Sequence, residues 1–152
     1  MSTQTEPINE VYSRRILEIA ADVTRQGRLE TPHGSATVSS PLCGSRVTVD
    51  LCLEAGRVSD FAHEVRACAL GQTASAVMAR HVVGSTIEEL RDLRSTMHAM
   101  LKEDGPPPTG KWADLEVLTP VRAYRARHGS VLLTFDAVVK AIDMALAGEP
   151  SR

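Results

Sequence analysis

Two of the three cysteines in this 152-residue sequence stand beside the ends of predicted strands. Cys43 lies in a turn between Leu42 and Gly44, immediately before a strongly predicted strand, and Cys68 lies where a later strand gives way to a helix. Adjacent antiparallel strands bring the start of one near the end of the other. We therefore expect Cys43 and Cys68 to meet on loops at one edge of a small sheet, as reactive thiols or as ligands of a metal.

His128 is a candidate third ligand. It precedes the predicted last helix, and it would reach the two thiols if its turn lies beside the cysteine loops. The spacing of the three residues matches no zinc-finger pattern. The alternative explanation is that both cysteines are small buried hydrophobic side chains and that His128 has no ligand role.

The remaining cysteine and histidines have simpler explanations. Cys52 alternates onto the polar face of its strand, with Asp50 and Glu54, and is assigned no role. The other histidines are assigned to the core or its boundary (His63, His81) or to the surface (His33, His98).

Charge and composition exclude several classes of function. The formal net charge is −2 and the pI about 6.2, whereas a nucleic-acid-binding protein would need a basic face. A small basic cluster, Arg122, Arg125 and Arg127, is a solvated loop, a docking surface for an acidic partner, or a positive field that stabilises nearby thiolates. No apolar run approaches the ~20 residues that cross a bilayer, and residues 1–7 contain no apolar signal core. We expect one cytoplasmic domain over residues 1–152, with its core at about 9–147 and no membrane association.

Hydrophobic periodicity predicts the first half of the fold. A helix is expected from an N-cap at Asn9 to a stop at Gly27. Strands follow at about 35–39, at 46–54 and up to about Arg66, and Ala55-Gly56 forms the hairpin turn between the second and third. Because the connections are short, the three strands are expected to form an antiparallel meander.

The second half is predicted to be helical. A helix follows Cys68 and ends at Gly84, and a capping box with Ser85 as N-cap and Glu88 opens the next. Residues 112–121 are expected to be irregular, and the last helix is expected from about Ser130 to Ala147. The predicted fold class is α+β, with a three-stranded antiparallel meander packed against an N-terminal helix and three to four C-terminal helices.

Several of these segments, in this order, resemble the U-type iron–sulfur cluster assembly scaffolds, the family of IscU, SufU and the N-terminal domain of NifU. The resemblance covers roughly residues 12–142. It is carried by the cysteine turn 41–44, the strand and hairpin glycine that follow, and the segment 68–75, which ends in Ala74-Ser75. The stretch 115–127 is similar to the segment before the third cysteine in the SufU branch.

The resemblance implies a site for a metal or a [2Fe-2S] cluster, built from three cysteines, an aspartate and sometimes a histidine. It implies a cysteine desulfurase and other assembly factors as partners, and a homodimer is a further expectation. This chain departs from the pattern at two ligands. The aspartate is replaced by Ser45, and the third cysteine falls on Ser130 in one register and on Gly129 in another. The second register makes His128 the family histidine.

The leading hypothesis is a non-enzymatic scaffold in which Cys43, Cys68 and His128 bind iron, a [2Fe-2S] cluster or zinc. A second hypothesis is a metal-free interaction module that binds a desulfurase or another assembly factor. A third is a thiol enzyme whose cysteine is activated by His128, although the sequence indicates neither an orienting group nor an oxyanion site.

Overall fold

The computed structural model of this chain describes residues 13–42 and 44–148. Within these ranges, three strands are joined by short connections: β1 (Gly34–Ser39), β2 (Arg46–Glu54) and β3 (Arg57–Arg66). The described helices are α1 (Arg14–Ala20), α2 (Ala69–His81), α3 (Ile87–Lys102), a 3₁₀ helix (Gly110–Ala123) and α4 (Arg125–Gly148). The predicted α+β fold class is confirmed.

The sheet is an antiparallel meander in the order β1-β2-β3. Ala55 and Gly56 both have positive φ angles, 52° and 77°, as expected for a two-residue hairpin turn. The register places Arg46 opposite Arg66, so the start of β2 and the end of β3 lie side by side at one edge of the sheet. This is the edge at which the two cysteine segments were predicted to meet.

Helix α4 covers one face of the sheet, which we call the inner face. Val47, Val49 and Leu51 alternate onto it and are each at most 1% exposed. At Gly34, an added β-carbon would collide with the backbone oxygen of Ala141 and lie 2.7 Å from the amide nitrogen of Ala145. Only glycine therefore allows α4 to pack this closely on β1.

The opposite face, which we call the outer face, is covered by residues 24–33 rather than left in water. Gln26 bridges to His63 at the free edge of β3, and the His33 amide, just before β1, donates to the carbonyl oxygen of Leu51 on the central strand β2. Between these points the segment passes Asp50, which is 1% exposed. The face that alternation marks as polar is thus partly buried.

This crossing segment explains why the predicted end of the first helix is wrong. Helix α1 ends at Ala20, seven residues before Gly27, because residues 25–27 are needed as backbone partners for His63. Ser13 caps the helix by accepting from the Ile16 amide at 3.3 Å. The predicted N-cap Asn9 lies outside the described residues.

The start of α3 differs by one residue from the prediction. Thr86, not Ser85, is the N-cap, and its hydroxyl accepts from the Glu89 amide at 3.0 Å. The Ser85 hydroxyl instead donates to the His81 carbonyl oxygen at 2.8 Å. The Glu89 carboxylate accepts from the Trp112 indole at 2.8 Å, which ties α3 to the 3₁₀ helix.

Residues 110–123 are regular, contrary to the prediction. Their buried side chains recur at intervals of three, the period of a 3₁₀ helix: Trp112, Leu115, Leu118 and Val121. Helix α4 then begins at Arg125, five residues before the predicted start. His128 therefore lies in the first turn of this helix and not in a loop before it.

No helix in residues 13–42 or 44–148 is both long and apolar enough to cross a membrane.

Candidate metal and sulfur site

Three elements converge at the edge of the sheet where β2 begins and β3 ends. The Ser130 hydroxyl oxygen, on α4, lies 3.3 Å from the Cys68 sulfur at the start of α2. It also lies 3.3 Å from the Ser45 hydroxyl oxygen just before β2. Ser45 and Ser130 are buried, and Cys68 is half-buried. Ser45, where the resemblance implies an aspartate, therefore contacts Ser130, one of the two positions implied for the third cysteine, and Ser130 contacts Cys68.

The Cys68 side chain is available to this site because it does not cap its own helix. Cys68 is the N-cap of α2 in extended conformation, but its side chain makes no capping hydrogen bond. At Gly71 an added β-carbon would lie 2.8 Å from the Ser130 hydroxyl oxygen and 2.6 Å from the Ala67 β-carbon. Glycine at this position allows α4 to bring Ser130 against the first turn of α2.

Cys43 lies outside the described residues, but the turn on both sides of it is defined. The Gly44 amide donates to the Ser40 carbonyl oxygen, and the Ser40 amide donates to the Ser45 carbonyl oxygen, both at 2.9 Å. Leu42 and Gly44 line the same cleft as Cys68. The two neighbours of Cys43 therefore lie at the cleft, and the meeting of the Cys43 and Cys68 thiols stays a prediction.

The cleft has a volume of about 600 Å³. Its charged lining residues are Arg66 and Arg127, and no carboxylate is found among the described residues that line it. The full set of lining residues is Leu42, Gly44, Ser45, Arg66, Ala67, Cys68, Ala126, Arg127 and Ser130. The site therefore combines a thiol and two hydroxyls with positive charge.

His128 is not brought into this cleft. It is 4% exposed, and its Nε2 donates to the carbonyl oxygens of Val121 and Arg122 at 3.1 and 3.0 Å. Two residues correspond to about 200° around an α-helix, so His128 and Ser130 face nearly opposite sides of α4. Because α4 begins early, Ser130 points into the cleft and His128 points toward the end of the 3₁₀ helix.

The described ranges contain no group of three or more His, Cys, Asp or Glu side chains that could hold a metal ion. The ligand set Cys43, Cys68 and His128 accordingly stays a prediction; of its two described members, Cys68 lines the cleft and His128 does not.

The other histidines and Cys52 lie away from the cleft. His63 is completely buried, which lowers the pKa of its imidazole, and its Nε2 lies 2.8 Å from the Thr24 carbonyl oxygen. His81 packs edge-on against Trp112, with ring centroids 5.7 Å apart. The Cys52 thiol lies 3.6 Å from the Thr31 carbonyl oxygen, under the crossing segment.

The basic residues of the cleft differ from the predicted cluster. Arg122 donates to the Gly105 carbonyl oxygen at 3.0 Å and lies 3.7 Å from the Asp104 carboxylate, so it anchors the proline-rich loop. Arg66, which the sequence reasoning missed, lines the cleft with Arg127. Strand alternation could have predicted this position, because Arg66 ends β3 two residues before Cys68 and residues two apart point to the same side.

The fold and this site define a protein of the U-type scaffold class. A family model described as the NifU-like N-terminal domain matches residues 11–130. The chain belongs to this family, as the sequence motifs predicted, and so to a group of scaffolds rather than enzymes.

Named relatives are in the same class. The iron–sulfur cluster assembly scaffold protein IscU of Thermotoga maritima is 24% identical over 132 residues, which cover 87% of this chain and 92% of that protein. IscU 1 of Archaeoglobus fulgidus is 27% identical over 101 residues, covering 66% of this chain and 65% of that protein.

Solved structures show the same fold. A nitrogen-fixing NifU-like protein (N-terminal) from Brucella abortus superposes with a TM-score of 0.91 at 54% identity, covering 93% of this chain and 98% of that one. The putative SUF-system scaffold SufU of Fervidobacterium islandicum superposes at 0.80 with 20% identity, covering 88% and 98%.

The site geometry also distinguishes between Ser130 and Gly129, the two candidate positions for the third cysteine. Ser130 contacts the Cys68 sulfur, whereas a β-carbon on Gly129 would face the Ser40 hydroxyl at 2.8 Å. Ser130 is therefore the position at which a thiol would reach the site.

Proposed function

We propose that this protein is an iron–sulfur cluster assembly scaffold that holds iron, a [2Fe-2S] cluster or zinc as cargo through Cys43 and Cys68. The observation that carries the proposal is the shared cleft, lined by Cys68 on one side and by both neighbours of Cys43 on another. The names of the relatives support the same role. The proposed partners are a cysteine desulfurase and other assembly factors. The protein is proposed to act as a single domain with its core at about 9–147, in the cytoplasm.

The donor set suits temporary binding better than permanent storage. Thiolates are the ligands that iron–sulfur clusters and zinc prefer, and a closed site normally has four protein ligands. Two thiolates leave the other positions to water, a small molecule or a partner protein. Ser45 and Ser130 supply neutral hydroxyls that can donate hydrogen bonds to sulfur. Cargo bound here is therefore expected to exchange readily.

His128 remains the predicted third ligand, and its present contacts allow a direct test. To bind a metal through Nε2, the ring would have to leave the carbonyl oxygens of Val121 and Arg122. If it acts only as a structural anchor, His128→Gln lowers the free energy of unfolding and leaves metal stoichiometry unchanged. If it is a ligand, His128→Gln lowers the stoichiometry or the affinity.

The decisive experiment measures iron, zinc and acid-labile sulfide after anaerobic purification and reconstitution. The samples are the wild type, Cys43→Ser, Cys68→Ser and Cys52→Ser, the last being the matched control because Cys52 lies outside the cleft. We expect bound metal in the wild type and in Cys52→Ser, and its loss in both other variants. Equal metal content in all four proteins, or none in any, would contradict the proposal.

A metal-free interaction module is the second candidate. It is favoured by the serines at two ligand positions and by Leu42, which is 82% exposed at the cleft. Such a module would bind a desulfurase through the cleft rim without using the thiol. Cys43→Ser would then bind the desulfurase as tightly as the wild type, which a pull-down with purified enzyme would measure.

A further inference from the structure

The cleft beside Cys68 carries a cationic side chain without an ion-pair partner among the described residues. This is Arg66, and no carboxylate is found among the described residues that line the cleft. Arg66 forms no ion pair with any described residue, and neither does Arg46, its neighbour across the β2–β3 ladder. A cleft lined by one sign of charge concentrates ligands of the opposite sign. The electrostatics therefore favour an anionic ligand in this cleft.

The Cys68 sulfur in the cleft indicates which kind of anion would bind there. The Cys68 thiol is half-buried and contacts the Ser130 hydroxyl, so a ligand in the cleft lies against both sulfur and cation. The volume of about 600 Å³ falls in the ~300–1,000 Å³ range of small-molecule sites. A compound of tripeptide size fits this range.

We propose that the cleft is a binding site for small thiols and disulfides that carry carboxylates. The carboxylate pairs with the Arg66 guanidinium, with Arg127 adding to the positive field, and the sulfur of the compound faces Cys68. Guanidinium groups bind carboxylates with two parallel hydrogen bonds, which orients the ligand as well as holding it.

This inference deepens the proposed function, because a bound small thiolate would supply a metal ligand that the chain lacks at Ser45 and Ser130. Its test uses metal-free protein, so the two proposals can fail separately. A protein that binds no metal but selects acidic sulfur compounds would retain this inference and lose the scaffold role.

Thiol–disulfide exchange reports on the site directly. The Cys68 sulfur attacks one sulfur of an added disulfide, a new S–S bond forms to Cys68, and the original S–S bond breaks. One half of the reagent leaves as a thiolate, which takes up the proton lost by Cys68. Cys68 and the bound half form the oxidised product, and the released half is reduced.

The experiment compares three disulfides that differ in charge, on metal-free Cys43→Ser protein. Oxidised glutathione carries carboxylates, bis(2-hydroxyethyl) disulfide is neutral, and cystamine is cationic. Peptide mass mapping measures modification of Cys68 and Cys52 in the same sample. Cys52 is the internal control, because it lies opposite Asp60 in the sheet register and away from the cleft.

The measured quantity is the ratio of modification by oxidised glutathione to modification by cystamine. At low salt we expect this ratio to be about tenfold higher at Cys68 than at Cys52. Because the preference is electrostatic, 0.5 M NaCl should reduce it severalfold. Equal reagent ratios at the two cysteines would overturn the proposal.

Arg66→Gln tests the assigned cation. It should reduce the preference of Cys68 for the acidic reagent severalfold and leave its rate with the neutral disulfide unchanged. Arg57→Gln is the matched control, since it removes the same charge at the other end of β3, about 30 Å away for a nine-residue separation. If both variants behave alike, or if Arg66→Gln changes nothing, the site is not selective for acidic compounds.

Discussion

Strand β2 carries one polar cluster at its centre and begins beside another, and the two are built differently. At the centre, Asp50 is 1% exposed and accepts from the Arg28 side chain at 2.7 and 3.0 Å, from the Leu29 amide at 3.0 Å and from the Ser35 hydroxyl at 2.6 Å. Every contact is short, and the central carboxylate is charged. This cluster holds the crossing segment onto the outer face of the sheet.

The cluster at the start of β2 is looser and opens to a cleft. Ser45, Cys68 and Ser130 are joined by contacts of 3.3 Å between two hydroxyl groups and a cysteine sulfur. Such contacts are weaker than charge-assisted hydrogen bonds of 2.6–3.0 Å. The comparison indicates that the Asp50 cluster serves stability and that the serine–cysteine cluster leaves its sulfur available to a ligand.

Removing the Asp50 charge should have the largest effect on stability. Asp50→Asn is expected to lower the free energy of unfolding by about 3 kcal/mol, the low end of the range for breaking a buried pair, because half-exposed Arg28 can rehydrate. Denaturant titration measures the loss. Glu54→Gln, an exposed carboxylate at the end of the same strand, is the control and should change the free energy by less than ~0.5 kcal/mol. A similar result for both variants would show that the Asp50 cluster is not the stronger one.

Acid should destabilise the protein through the same carboxylate. Burial by itself would raise the pKa of Asp50, but hydrogen bonds from Arg28, Ser35 and the Leu29 amide outweigh it, so its pKa lies below the ordinary value of 3.8. A lowered pKa stabilises the folded state above the unfolded pKa, and this contribution is lost as the pH falls through the folded value. Unfolding curves between pH 7 and pH 2 should show a smaller acid-induced loss in Asp50→Asn than in the wild type. Parallel losses in the two proteins would assign the acid sensitivity to other groups.

Adding a thiol to the looser cluster should increase its affinity for metal. Ser130→Cys places a third sulfur against Cys68, and we expect metal to be retained about tenfold more tightly against a competing chelator, because thiolates are better ligands than hydroxyls for iron and zinc. The control is Thr134→Cys, which puts a thiol one turn further along α4, outside the cleft lining. An equal gain in both variants would show that the position of the thiol is unimportant.

The smallest effect is expected from deleting a hydroxyl in the serine–cysteine cluster. Ser130→Ala should change the free energy of unfolding by ~1 kcal/mol or less, since its contacts at 3.3 Å are weak. Equilibrium unfolding beside Asp50→Asn gives the comparison in one set of measurements. A loss of more than ~2 kcal/mol would mean that Ser130 is part of the structural core and not of an open site.

Much of the fold could be predicted because it follows from short-range patterns. Alternation along residues 46–54 identifies β2 and its buried face, and Ala55-Gly56 identifies the hairpin turn. The helical stripes after Cys68 and after Thr86 identify α2 and α3. The same local patterns predict both cysteine segments at one edge of the sheet, where Leu42, Gly44 and Cys68 line one cleft.

The errors occur where local patterns compete with distant contacts. The three-residue spacing of Trp112, Leu115 and Leu118 was present in the sequence, but long 3₁₀ helices are uncommon, so an irregular segment was the better prediction. The predicted first helix is too long because residues 25–27 pair with the backbone of β3 instead of continuing α1. The predicted start of α4 is five residues too late, which puts His128 in a loop instead of the first helical turn.

The sequence by itself determined the strand order, the inner face of the sheet, the membership of the family and the two cysteine positions. The tertiary structure alone decided that Ser130 and not Gly129 meets Cys68, that Arg66 lines the cleft and that Asp50 is buried. The physical reason is rotation: the direction in which a helical side chain points depends on where its helix begins and how closely it packs. Here the close contacts of Gly34 and Gly71 with α4 set that rotation, and they join residues far apart in the chain.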